Sequence, residues 1–296
     1  MVLSRKTQNL IYVFIFLSPS LAGLLTFLVL PTAASAIMSF TDWPIISAPK
    51  FVGLKNYVTL LTDDPIFWTS LRATLYYAAL NLPLGIGGAL FFALAVNQKL
   101  RGMVFFRVIY FVPVVSSMVA VAEIWRWLYA TDYGLINLTL MNLGFSQVAW
   151  LSDRRWVIPA LVLMTVWKGL GYGMLIYLAG LQGIPAQFYE AAAIDGASNW
   201  QRFWHITLPL LSPTHFFMMV TGVIGAFQVF DAVFLMTSGG PANASRVYAY
   251  YLYQQAFSYY RMGYASAMAW ILFLIIFVIT LVQVRFAQRG VVYELA

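Results

Sequence analysis

Apolar residues fall in six long stretches, roughly 11–38, 71–97, 104–129, 156–182, 212–237 and 264–286, with polar residues gathered between them. An α-helix needs about 20 mostly apolar residues to cross bilayer hydrocarbon, and each stretch is long enough. The pattern therefore predicts an all-α membrane protein of about six transmembrane helices. The longest connections, 39–70, 130–155, 183–211 and 238–263, leave no room for a separate soluble domain. The whole of 1–296 reads as a single transmembrane domain. Pro19, Pro31, Pro83, Pro113, Gly169, Gly171 and Gly173 lie inside the stretches. In a helix bundle, neighbouring helices and polar side chains can satisfy the backbone groups that such residues free. Small residues also let helices approach closely.

Composition supports lipid contact. Of 296 residues, 62% are hydrophobic and 9% charged, against about 25% charged in soluble domains. The net charge of +7 comes from basic residues spread between the apolar runs rather than in one stripe, which argues against nucleic acid as a partner. There are no cysteines, and the histidines are His205 and His215, so thiol chemistry and His-rich metal sites are not expected. The first apolar stretch exceeds the 7–15 residues of a secretory signal core. This favours a retained span, although Ala34-Ser35-Ala36 resembles a cleavage site. Basic residues divide evenly between the two sides. Arg5 and Lys6 before the first span, and Lys99, Arg101 and Arg107 around the short second connection, favour a cytoplasmic N-terminus.

The 183–211 connection is the most informative. Pro185 suits a helix start, and 188–194 is rich in helix formers. Gly196 suits a C-cap with positive φ, and Ser198 can cap a following helix. Two short helices joined at Gly196 are expected. Phe188, Tyr189, Trp200, Phe203, Trp204 and Ile206 with few charges fit two readings: a docking surface or a helix lying on lipid.

Glu190-Ala191-Ala192, then Gly196 after three residues, then Ile206-Thr207-Leu208-Pro209 after nine, resembles the EAA motif of permease subunits in binding-protein-dependent ABC importers. The Ala193–Ala197 variant is similar to the carbohydrate-uptake branch, the maltose and glycerol-3-phosphate type. Phe51–Tyr57, Ile124–Tyr129 with Gly134 and Asn137, Leu178–Pro185, and Phe230-Asp231 with Thr237–Pro241 resemble further segments of that branch. The resemblance implies both termini in the cytoplasm of a bacterial or archaeal inner membrane. It implies that Glu190, Ala191, Ala192, Asp195, Gly196, Ile206, Leu208 and Pro209 form the loop that docks on a separate ATPase. Glu190 would be the charged contact, and Gly196 would give the sharp turn. The partners implied are a second permease in a heterodimer, two ATPases and an extracytoplasmic solute-binding protein. This chain would bind no cofactor, ATP and magnesium residing on the ATPase.

No phosphate-cradling Gly-rich loop and no catalytic triad is present, so an enzyme is not expected. Ionisable groups at membrane depth are functional candidates. Lys168 could line a transport path, or pair with Glu123 or a backbone carbonyl. Asp231, Gln228, Asn81, Trp167 and Tyr172 are further path candidates, with Tyr177 as another aromatic. A phosphate ester or polyol stands as the alternative substrate class. A secondary transporter would show ion-coupling carboxylates or an inverted repeat, and neither is apparent.

Overall fold

A computed structural model of the chain describes residues 5–98 and 101–290, with side chains from 12 to 287 within those ranges. Lys99 lies outside the described residues, as do the side chains of Arg5, Lys6 and Arg289. In chain order the helices are α1 (Arg5–Leu24) and α2 (Leu30–Met38), joined by a π turn at Leu25–Val29, then α3 (Lys55–Thr62), α4 (Pro65–Val96), α5 (Met103–Val115), α6 (Met118–Leu128) and α7 (Leu135–Asn142). They continue with α8 (Val157–Gln182), α9 (Ala186–Ile194), α10 (Asn199–Arg202), α11 (Leu208–Leu210), α12 (Ser212–Phe227), α13 (Asp231–Met236), α14 (Tyr248–Tyr253) and α15 (Met262–Gly290). Strand β1 (Thr41–Asp42) pairs antiparallel with β2 (Lys50–Phe51).

Among the described residues, five helical segments are long and apolar enough to cross a membrane: Tyr12–Met38, Pro65–Val96, Val157–Gln182, Ser212–Met236 and Met262–Ala287. The third expected span, 104–129, needs correction. It is not one helix but the pair α5 and α6, bent by 98° at Ser116-Ser117. Both serines are extended, with ψ of 143° and 134°. Pro113 has no N–H to donate one turn before the break. Counted as one broken span, the pair brings the total to six. The second span starts at Pro65 rather than 71, because proline fits a first helical turn and polar Thr69, Ser70 and Arg72 still prolong the helix.

The chain forms two compact units. One comprises residues 5–64 and 252–272. Inside α1, Pro19 leaves the Ile15 carbonyl without its helical donor, and the Ser18 hydroxyl donates to that carbonyl at 3.0 Å. This is the local repair expected at membrane depth. Buried Asn56 donates from Nδ2 to the carbonyls of Ser39 and Thr41, both at 2.9 Å. The Tyr264 hydroxyl donates to the Asp64 carboxylate at 2.6 Å.

The other unit comprises the described residues of 65–251 and 273–290. Its core joins Ala89, Ala93 and Val96 of α4 to Met174, Tyr177, Leu178 and Leu181 of α8, with Ile184 and Leu211. Close approach depends on glycine. A Cβ on Gly171 would collide with the Tyr110 carbonyl of α5, and one on Gly173 would lie 2.8 Å from the Ala89 Cβ. Small residues at helix contacts are how bundles pack where lipid is as apolar as the core.

Candidate functional site

The 183–211 connection folds as two short helical pieces turning at Gly196. Helix α9 ends at Ile194, and Gly196 takes φ +74°, a conformation that costs other L-residues. Ser198 then caps α10 in a reciprocal capping box. Its hydroxyl accepts from the Gln201 N–H, while Gln201 Oε1 accepts from the Ser198 N–H at 2.8 Å. The second piece continues through a π turn at Phe203–Thr207 into α11. The two pieces are tied by the Tyr189–Thr207 hydroxyl bond at 3.0 Å, and the turn is held by Arg202 Nε donating to the Ala197 carbonyl at 2.9 Å.

The connection exposes charged and apolar groups together at its tip, above a half-buried apolar base. Glu190, Ala191, Asp195 and Gly196 are exposed, while Ala192, Ile206, Leu208 and Pro209 are half-buried. Ile194 is 87% exposed and Trp200 69%. Trp200, Phe203 and Trp204 form a ring cluster with centroids 5.5–6.1 Å apart. The base is anchored: Ile184 and Leu211 belong to the α4–α8 core, and Tyr189 packs against it. A force on the tip therefore reaches α4 and α8 through packed side chains rather than through slack chain.

Between α4, α8 and α12 lies a cavity of about 230 Å³, lined by Asn81, Thr165, Tyr172, Thr221 and the four glycines 85, 169, 173 and 222, among others. Asn81 and Tyr172 thus meet at one place. Asn81 also bonds across helices, donating to the Tyr77 and Thr165 hydroxyl oxygens, both at 3.2 Å. Tyr77 itself donates to Thr165 at 2.8 Å. Trp167, Lys168, Gln228 and Asp231 do not line this cavity. Trp167 packs edge-on against Trp125 at 5.5 Å. Gln228 is exposed at the break between α12 and α13, and exposed Asp231 opens α13, where a carboxylate suits a helix N-terminus.

Lys168 sits at the broken span. Its ammonium donates to the carbonyls of Pro113, Val114 and Ser116 at 3.1, 3.2 and 2.9 Å. The i+4 helical donors of these carbonyls are lost where α5 stops, although the Pro113 carbonyl also accepts from the Ser116 N–H at 3.3 Å, and a cation at a helix C-terminus opposes its negative dipole end. Glu123 instead pairs with Arg126 at 2.8 Å.

The structure adds three features to the expectations from the sequence. Gln201 follows Ser198 by three residues, which is the capping-box spacing, so that signal is present in the chain. The Tyr177–His215 bond at 2.7 Å joins residues 38 apart and leaves no local trace. Asn137 stands out in the sequence only as part of a motif. It is wholly buried, and its side chain bonds the Thr131 and Val148 backbones and the Trp150 indole.

Comparison with known proteins agrees with this architecture. Residues 81–290 match the family model described as binding-protein-dependent transport system inner membrane component. The chain is 40% identical to the probable ABC transporter permease protein YesP of Bacillus subtilis (strain 168), over 94% of this chain and 91% of that one. It is 34% identical to the lactose transport system permease protein LacF of Rhizobium radiobacter, over 93% of each. It also superposes on a chain of a bacterial alginate ABC transporter, crystallised in complex with its alginate pentasaccharide-bound periplasmic protein. There the TM-score is 0.84 with 25% identity, over 96% of both chains. The chain is thus a multi-pass membrane protein that belongs to the family of inner-membrane components of binding-protein-dependent transport systems.

Proposed function

We propose that this chain is a permease subunit of an ATP-driven importer that carries a carbohydrate across a bacterial or archaeal cytoplasmic membrane. The observation that carries this reading is the 183–211 connection. It displays Glu190 on an exposed helix, turns at a left-handed Gly196, and is anchored into the helices that wall the central cavity. Such a lever suits an ATPase made as a separate protein. Glu190 and Asp195 supply charged contacts, Ala191 and Ala192 allow close approach, and Ile206, Leu208 and Pro209 fix the lever to its base. Asn81 and Tyr172 are the residues we place on the path. Carbohydrate is favoured by lactose in the name of one relative and alginate in that of the solved neighbour. The full transporter pairs this single permease domain with a second, different permease, two ATPases holding ATP and magnesium, and an extracytoplasmic binding protein. Closure of the ATPases would pull the two levers and rock the spans between states open to either side.

Proteoliposomes holding the two permeases and ATPases, with binding protein outside, test this. Uptake of radiolabelled lactose, maltotriose or arabinotriose that needs both internal ATP and the binding protein is expected, and Glu190→Lys should abolish it. Sugar uptake driven by an ion gradient without ATP would overturn the proposal, as would uptake of glycerol 3-phosphate alone.

A further inference from the structure

A second polar cavity, of about 580 Å³, opens at the end of α8 remote from the 183–211 connection. One wall is Arg126 and residues 129–133 with 151–152, and the other is 236–237 with 240–241. Its volume lies within the roughly 300–1,000 Å³ typical of small-molecule sites. Arg126, Asp132, Ser152 and Thr237 bring hydrogen-bonding groups to it, and Tyr133, 63% exposed, offers an aromatic face.

Both walls are pinned. On one side, Asn137 Nδ2 donates to the carbonyls of Thr131 and Val148 at 3.0 and 2.9 Å, and its Oδ1 accepts from the Val148 N–H and the Trp150 indole, both at 3.1 Å. Beneath, the buried Tyr129 hydroxyl donates to the Ala160 carbonyl of α8 at 2.9 Å. On the other side, fully buried Ser245 bonds Thr237 at 2.7 Å and holds the Gly240 carbonyl. A polar cavity whose walls are fixed in advance loses little entropy on taking a ligand.

The charges select among ligands. The lining carries one cation, Arg126, and one anion, Asp132, and Arg126 also shares its charge with Glu123. The lining is therefore neutral overall and gives no net attraction to a phosphate or carboxylate. Paired donors and acceptors beside an exposed ring suit a hydroxyl-rich uncharged molecule.

We propose that this cavity is an outer receiving site for a neutral sugar, occupied between delivery by the binding protein and passage to the central cavity. The inference rests on the carbohydrate reading above and adds a site and a charge class to it. The absence of cysteine allows a clean test in the assembled transporter. Ser152→Cys and, as a control on the exposed Asn142 beyond the cavity, Asn142→Cys are labelled with an impermeant methanethiosulfonate. Labelling is repeated with lactose, maltotriose, arabinotriose or glycerol 3-phosphate, and with sugar-free binding protein. Slower labelling at Ser152→Cys but not Asn142→Cys with at least one neutral sugar, and none with glycerol 3-phosphate, is expected. Asp132→Asn should raise the KM for that sugar about tenfold, the loss of one hydrogen bond to a charged group, while binding-protein-stimulated ATP hydrolysis persists. No protection by any neutral sugar overturns the receiving site, even where ATP-driven sugar uptake upholds the importer reading. Protection by sugar-free binding protein alone also overturns it, making the cavity a protein seat.

Discussion

Lys168→Met separates what holds the broken span from what keeps the chain in the membrane. The ammonium holds three carbonyls at 2.9–3.2 Å. A hydrogen bond to a charged group contributes about 1.5–3 kcal/mol net. Three such bonds sharing one cation do not add, so we take about 3 kcal/mol for the set. Against this stands the cost of about 2.5–3.5 kcal/mol for a lysine at mid-membrane, which methionine removes. The two nearly cancel in overall stability but not in geometry. In an unbroken helix the same carbonyls would accept from the N–H groups of 117, 118 and 120. Without the ammonium, straightening becomes their best alternative, and a preference of about 3 kcal/mol is over a hundredfold in population. Nitroxides at Ile109→Cys and Ile124→Cys, both exposed, read the bend in a chain free of other cysteines. Fifteen residues of straight helix span roughly 22 Å, and a 98° bend brings the pair well inside that. With Lys168 in place a single short distance is expected. In the Lys168→Met variant a second population near the straight value should appear at unchanged expression. An unaltered short distance in the variant would refute the assigned role. Lys168→Arg should rescue only in part, because a planar fork fits three converging carbonyls poorly.

Local geometry sets the outcome of three other substitutions. Gly171→Ala places a Cβ against the Tyr110 carbonyl, whereas Gly169→Ala meets nothing within 4 Å; thermal unfolding in detergent should show a loss of about 1–3 kcal/mol for the first and none for the second. Asn137→Ala leaves the Val148 and Trp150 N–H groups without their acceptor, which should cost about 2–4 kcal/mol and speed proteolysis between 129 and 153. At Gly196, with φ +74°, valine should cost about 1–2 kcal/mol and lower ATP-driven uptake, while asparagine, which tolerates that conformation, should retain most of it.

Legibility in the sequence follows the range of the interactions. Gly196 and Ser198 act on neighbours within a few residues, so turn and cap can be placed from residue types alone. The break at Ser116-Ser117 is invisible, because hydropathy averaged over a span does not register two serines between apolar flanks. Its other half, Lys168, lies more than 50 residues away. The residues that line the central cavity are the least legible. Lipid and helix core are equally apolar, so α8 carries no polar face to say which side turns inward. Asn81 and Tyr172 reach the central cavity, and Trp167 and Lys168, on the same helix as Tyr172, do not.

The central claim is that the 183–211 connection docks an ATPase through Glu190. Its most direct test is to purify the tagged chain from native membranes in mild detergent, as wild type and as Glu190→Lys, and to quantify what accompanies it by mass spectrometry. The account predicts an ATPase and a second permease with the wild type, and the permease without the ATPase in the variant. Equal recovery of the ATPase with both forms, or a functional wild-type chain that reproducibly emerges alone, would contradict it.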